Sequence, residues 1–234
     1  MAKRSRKPIL QDKTGKDLKV GICIPSRGEM CMGTAFDLAV MCGYDSRFRN
    51  PGTQSIYTVA GTLIFDQRNK LAESALDEGC DYILWLDADM RFPKNTIERL
   101  ISLDKDIVGV NATTRTVPAK PTAKNLQINF EEKTNAWIPV DSKGKQGIEK
   151  VTSIGCGVML VKRKVFEKLE KPWYWFSEIP GDKILGEDVY FCVKAHDAGF
   201  ETWVDHSLSN MIGHIGQYTY TWEDVKCHSE TTQS

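Results

Sequence analysis

Apolar residues along this chain come in short runs, and through the first half the runs alternate in kind. Residues 19–24 (K-V-G-I-C-I) form a compact apolar run ended by Pro25, the pattern of a strand buried on both faces. A loop, Ser26-Arg27-Gly28-Glu29, leads to a helical stretch over about 34–41, and residues 55–60 read as a second strand. Residues 63–78 predict a helix: Leu63, Phe65, Leu71, Ala72, Ala75 and Leu76 can share one face, and Gly79 stops it. Residues 82–86 (Y-I-L-W-L) predict a third buried strand. A helix over 93–103 with Pro93 in its first turn follows, then a fourth strand at 106–110. Strand–helix alternation of this kind favours a parallel sheet covered on both faces.

The second half changes character. Residues 112–125 read as a long Thr/Pro/Lys loop, and 126–162 as strands joined by a polar turn at about 141–147. A helix is expected over 186–198 and a short strand at 201–204. The expected organisation is a basic flexible arm (1–16), one α/β domain (17–216) with a mostly parallel central sheet and a small antiparallel second half, and a tail (217–234).

Composition narrows the classes. Lys+Arg and Asp+Glu are both 31, so bulk charge gives no argument for a nucleic-acid or membrane partner. No run reaches the ~18 apolar residues of a membrane span. The basic start has no apolar h-region after it, so it does not read as a secretory signal. Seven irregularly spaced cysteines without a Cys-x-x-Cys pair argue against a disulfide or structural zinc framework and for a reducing compartment. Cys23 and Cys192 lie inside apolar patterns and read as small core residues.

The candidate chemistry centres on Asp87-Ala88-Asp89, directly after the third strand. Ligands of open α/β sheets bind beyond the carboxyl ends of strands. Two carboxylates one residue apart can hold a hard cation there, directly or through its water. The alternative is a pair of polar turn residues capping the next helix. Glu187 and Asp188 open a predicted helix; they either cap it or supply a general base. His214, in Gly213-His214-Ile215-Gly216, is either a satisfied polar residue or a third ligand for a Mn²⁺-like ion. His196, His206 and His228 read as ordinary polar residues. Trp173, Tyr174, Trp175 and Phe176 cannot all face inward from one loop, so some are expected to form a stacking wall.

In order and spacing, I-C-I-P-S-R at 22–27, Arg68-Asn69, L-W-L-D-A-D-M at 84–90, S-I-G-C-G-V-M-L at 153–160, G-E-D-V-Y-F at 186–191 and G-H-I-G at 213–216 resemble the GT-A glycosyltransferases. The closest look is to compact, family-2-like enzymes, many of them encoded by bacteriophages. The resemblance implies a single Rossmann-like GT-A domain that moves a hexose from a nucleotide-diphosphate sugar, UDP-sugar by family frequency, with Mn²⁺ or Mg²⁺ as cofactor. It implies nucleotide-sugar contacts at Pro25, Ser26, Arg27, Arg68, Asp87, Ala88, Asp89, Gly155, Cys156 and Gly157. It further implies metal ligands at Asp89, Asp87 and His214, and catalysis at Asp188 with Glu187 beside it. Residues 55–62 lack the acidic residue that many relatives use to read uracil, which leaves the base open.

The acceptor stays open as well. A 5-hydroxymethylpyrimidine in DNA fits the basic arm (Lys3, Arg4, Arg6, Lys7) and the loop with Arg115, Lys120 and Lys124. A saccharide, lipid or protein hydroxyl is the alternative, and Trp173 and Trp175 join Arg115 and Lys120 as candidate acceptor contacts. No stable membrane association is expected, the location expected is cytoplasmic (a host's, for a phage enzyme), and the oligomeric state is not legible. Two other classes compete. A sugar-nucleotide pyrophosphorylase would want a glycine-rich loop after the first strand, and Ser26-Arg27-Gly28 is poor in glycine. A non-catalytic sugar- or nucleic-acid-binding module would not need Asp87, Asp89, Asp188 and His214 together.

Overall fold

The computed structural model describes residues 11, 17–47, 52–129, 134–179 and 183–217. The arm, with Lys3, Arg4, Arg6 and Lys7, and the tail, with His228, lie outside the described residues apart from Gln11 and Gln217. In chain order the elements are β1 (Val20–Ser26), α1 (Met32–Asp45), β2 (Gln54–Ala60), α2 (Ile64–Asp77), β3 (Tyr82–Leu86), β4 (Met90–Arg91), α3 (Thr96–Ser102), β5 (Ile107–Gly109), β6 (Lys124–Asn129) and β7 (Thr134–Pro139). They continue as β8 (Ile148–Val151), β9 (Val158–Lys162), α4 (Arg163–Lys168), β10 (Ser177–Ile179), β11 (Lys183–Leu185), α5 (Glu187–Asp197), β12 (Thr202–Asp205), α6 (His206–Ser209) and β13 (Gly213–His214).

The molecule is built on a seven-stranded sheet in the order β2-β1-β3-β9-β5-β12-β8. β1 pairs in parallel with β2 and β3, and β12 in parallel with β5. β9 runs antiparallel between β3 and β5, and β8 antiparallel on the β12 edge. Five of the seven strands therefore share one direction, which is the mostly parallel sheet that the alternating pattern predicts. The antiparallel part of the second half does not fold apart: β9 enters the middle of the main sheet, while β6–β7 and β10–β11 make separate ribbons. β3 and β9 are buried along nearly their whole length, which is why both read as continuous apolar runs.

Several boundaries differ from expectation. Pro25 does not end its strand: it pairs with Val59 of β2, at a point where the pairing of β1 with β3 has already stopped after Cys23–Trp85. A proline is tolerated where one side of the strand no longer needs its N–H. Pro93 precedes its helix rather than opening it, and its carbonyl accepts from Thr96 N and Oγ1. Leu63 is exposed, whereas Leu71, Ala72 and Ala75 of α2 are buried, as are Gln67 and Arg68. Lys124 belongs to β6, not to the preceding loop. Gly79 adopts φ +77°, the left-handed conformation that closes α2. Cys23 and Cys192 are both fully buried, and the six cysteines among the described residues are free.

Gly109 of β5 pairs with Met159 of β9, and a Cβ at this position would lie 2.5 Å from the Val158 carbonyl oxygen. Because backbone rather than a flexible side chain opposes it, Gly109→Ala is expected to cost about 1–3 kcal/mol of stability. An unchanged midpoint in urea unfolding would contradict that packing.

Candidate functional site

A cleft of about 1030 Å³ opens over the carboxyl ends of β1, β2 and β3. It is lined by Pro25, Ser26, Arg27, Arg68, Asp87, Ala88, Asp89, Arg115, Glu187 and His214, among others. Residues from six separate parts of the sequence thus converge where an α/β sheet offers its ligand crevice. The loop after β1 is shaped locally: Ser26 Oγ accepts from Gly28 N at 3.1 Å, and Gly28 takes φ +104°.

Arg68 organises the inner wall. It is 2% exposed, and its guanidinium carbon lies 5.3 Å from the centre of the Trp85 ring. Nη2 donates to Asp87 Oδ1 at 2.9 Å and Nε to Glu187 Oε1 at 3.3 Å. Nη1 is buried with no hydrogen-bond partner among the described residues. One cation therefore fixes a carboxylate from the β3 turn and one from the start of α5.

Asp89 and His214 meet through backbone pairing. β4 and β13 form a two-stranded ribbon in which His214 opposes Met90, and Ile215 N donates to the Asp89 carbonyl at 2.8 Å. His214 Nδ1 lies 2.6 Å from the Thr113 carbonyl oxygen. A carbonyl only accepts, so Nδ1 carries a proton. Nε2 then faces Asp89 Oδ1 at 3.3 Å. Two lone pairs cannot share that gap. A cation bound by both would relieve that repulsion. Two ligands of one octahedral ion, each about 2.1 Å from it at right angles, stand roughly 3 Å apart. The spacing of Asp89 and His214 is that of two adjacent positions around Mg²⁺ or Mn²⁺, and the Thr113 carbonyl orients the imidazole. Among the described residues no three His, Cys, Asp or Glu side chains form a complete metal-holding group. By themselves the two side chains are an incomplete donor set for such an ion.

Asp188 stands beside the cleft at the start of α5. Oδ1 accepts from Val189 N at 2.7 Å, and a Cβ on Gly155 would be 3.7 Å from Oδ2. A Cβ on Gly157 would lie 3.6 Å from Asp87 Oδ2, and Gly157 O accepts from Asp87 N at 3.0 Å. The Gly155–Gly157 turn thus has the Asp87 side of the cleft against one end and Asp188 against the other, with Cys156 buried between. Surrounding atoms exclude water from most of Asp188, and Glu187 adds like charge, so its carboxyl is pushed up to about 6. The N–H of Val189 and the Arg68 charge offset part of that rise. Glu187 is engaged by Arg68, whereas no ion pair to Asp188 is present among the described residues.

The aromatic run divides. Trp173 is a correction: it is buried, its indole N–H donates to the Phe166 and Leu169 carbonyls, and it cannot meet an acceptor. Tyr174 is fully buried and stacks on Phe191. Trp175 and Phe176 are exposed and stand edge-on to Phe65 at centroid distances of 4.6 and 4.9 Å. Asn69 sets this division, because its Oδ1 accepts from both Trp173 N and Tyr174 N. Lys120 is exposed on its loop and is not among the cleft residues. Arg115 is turned into the cleft, 2.7 Å from Asp89 Oδ2, a contact that periodicity and spacing do not signal. Of the other histidines, His206 is buried between Ser142 and Glu149, and His196 is on the surface near Asp197. No helix among the described residues is long and apolar enough to cross a membrane.

The family model described as Anp1 matches residues 62–151, less than half of the chain. Anp1 is a family of mannosyltransferase-like glycosyltransferases of the GT-A type. No curated protein matches the chain. Among solved structures, the crystal structure of A197 from STIV is similar with a TM-score of 0.47 and 16% identity, over 90% of this chain and 100% of that one. The matched segment contributes Arg68, Asp87, Asp89 and Arg115 to the cleft, and the match marks this chain as glycosyltransferase-like without favouring the bacteriophage enzymes within that kind.

Proposed function

We propose that the protein is a metal-dependent glycosyltransferase that moves a hexose from a nucleotide-diphosphate sugar, a UDP-sugar first among them, to an acceptor hydroxyl. The observation that carries the reading is the Asp89–His214 pair, 3.3 Å apart with the far imidazole nitrogen already committed to a carbonyl, in a cleft that also holds Arg68. A bound Mn²⁺ or Mg²⁺ would supply Lewis-acid stabilisation of the charge that develops on the departing diphosphate.

The chain's own groups account for the rest of the reaction. Arg68 holds Asp87 in place for the ribose or the metal. Pro25, Ser26 and Arg27 border the nucleotide end of the cleft. The acceptor oxygen bonds to the anomeric carbon as the bond from that carbon to the diphosphate oxygen breaks. The acceptor proton passes to Asp188, and the nucleoside diphosphate leaves. A carboxylate raised to about 6 is ionised at neutral pH yet basic enough to help, which suits a general base. The exposed Trp175 and Phe176 offer a shelf for the face of an acceptor ring, sugar or pyrimidine. With Arg115 paired to Asp89, the loop has one cation fewer for a DNA backbone, which favours a saccharide acceptor over hydroxymethylated DNA.

Incubation with a panel of UDP- and GDP-sugars is expected to release nucleoside diphosphate in the presence of Mn²⁺. EDTA or Asp89→Ala should reduce that release at least about 100-fold. The panel should pair each donor with simple saccharides and with hydroxymethylcytosine DNA, read by mass. No metal-dependent release from any donor would sink the reading.

A further inference from the structure

We propose that Arg115 is a resident cation on the metal-binding carboxylate, one that leaves Asp89 when metal and donor arrive and closes onto the donor's diphosphate. This rests on the transferase reading above and assigns Arg115 a duty toward the donor, not the acceptor.

Four carboxylates line the cleft, and three of them, Asp87, Asp89 and Glu187, are ion-paired with an arginine. Arg68 serves Asp87 and Glu187. Arg115 serves Asp89: Nη1 is 2.7 Å from Oδ2, while Oδ1 faces His214. The guanidinium thus neutralises the carboxylate to which a divalent ion would bind, and the two cations compete for it.

The loop that carries Arg115 is built to let the side chain move while its base stays fixed. Thr113 bridges to Pro121, Thr114 N donates to Lys120 O at 2.8 Å, and Lys120 N donates to Thr114 Oγ1 at 2.9 Å. Thr113 also holds His214 in place, so loop and metal site share an anchor. The Arg115 side chain is 55% exposed, and its stem lies alongside Gly216, where a Cβ would still be 3.6 Å away. Displaced from Asp89 by a divalent ion, the planar fork finds its natural partner in the phosphate oxygens that the same event brings into the cleft. The exchange keeps Asp89 and Arg115 each paired with an opposite charge before and after binding.

The prediction has opposite signs for metal and for nucleotide, which a merely structural role would not produce. Wild type, Arg115→Ala, Arg115→Lys and Asp89→Asn would be titrated with Mn²⁺ alone by electron paramagnetic resonance, and with uridine diphosphate at saturating Mn²⁺ by calorimetry. Arg115→Ala is expected to bind Mn²⁺ alone about fivefold more tightly and uridine diphosphate about tenfold more weakly, with Arg115→Lys between it and wild type. Asp89→Asn is expected to lose Mn²⁺. If Asp89→Asn loses Mn²⁺ but Arg115→Ala binds it as wild type does, the proposal is overturned and the transferase reading stands. Both affinities moving in one direction overturns it equally. No Mn²⁺ binding by any form, even with uridine diphosphate, removes the metal-dependent reading and the proposal with it.

Discussion

Asp188→Asn is expected to abolish sugar transfer and, at the same time, to make the protein more stable above neutral pH. The first effect follows from removing the base, a loss of at least about 100-fold in kcat. The second follows from the environment of the carboxyl. Burial and the Glu187 charge raise it to about 6 in the folded protein, against about 3.9 in an unfolded chain. The folded state therefore holds the proton more tightly than the unfolded state does. Ionised Asp188 opposes folding fully above about pH 6, and the opposition fades as pH falls towards 4. Asparagine removes it and still accepts the Val189 N–H. The gain at pH 8 is expected to be on the order of 1–3 kcal/mol, discounted for the part of Asp188 that solvent reaches. Urea unfolding of both forms at pH 8 and pH 4 checks this, with the difference present at pH 8 and gone at pH 4. An equal difference at both values would mean that ionisation is not its source. In the wild type the same carboxyl sets an acidic limb on kcat/KM, with activity lost as pH drops through about 6.

Arg68→Met is expected to be the most damaging substitution in the cleft wall. The methionine fills much of the space but leaves the partly exposed Asp87 and Glu187 carboxylates without their shared cation. Removing one partner of a fully buried pair costs about 3–5 kcal/mol; here solvent reaches both carboxylates, so the expected loss is about 1–3 kcal/mol. Transfer should fall with it, since Asp87 loses its anchor. The Arg68 charge also helps hold the Asp188 carboxyl down, so any residual activity should show its acidic limb displaced to higher pH. Arg68→Lys keeps the charge but not the fork that reaches two carboxylates, and should fall between. Denaturation midpoints and pH–rate profiles on the three forms test both halves. A midpoint for Arg68→Met equal to that of wild type would show that the network adds nothing to the fold.

The cleft was legible in part, and the boundary has a physical cause. Strand β3 is buried on both faces, so its apolar run marks itself, and with it the position of Asp87 and Asp89. The same holds for β1 and for the α2 face with Leu71, Ala72 and Ala75. Arg68 carries no such mark, because a lone arginine on a helix reads as solvated, and only the packing of α2 against the sheet shows it sealed under Trp85. Arg115 reads in sequence as a surface contact for an acceptor, since a basic residue in a polar loop has no pattern that says which way it turns. Trp173 and Trp175 look alike in sequence. Asn69, a hundred residues away, decides which of them is core by fixing the backbone between them.

Local patterning, then, determined the elements: the alternation of apolar strands and amphipathic helices, the carboxylates at the end of β3 and at the start of α5, and hence an α/β sheet with acid at its carboxyl edge. Those are consequences of burial acting on neighbouring residues, and neighbours are what a sequence displays. The tertiary structure alone decided the partnerships: Asp89 with His214 and Arg115, Arg68 with Asp87 and Glu187, and β9 inserted between β3 and β5. Charges and strands find these partners across gaps of 19 to 125 residues, through the register of a sheet that no local stretch of the chain contains.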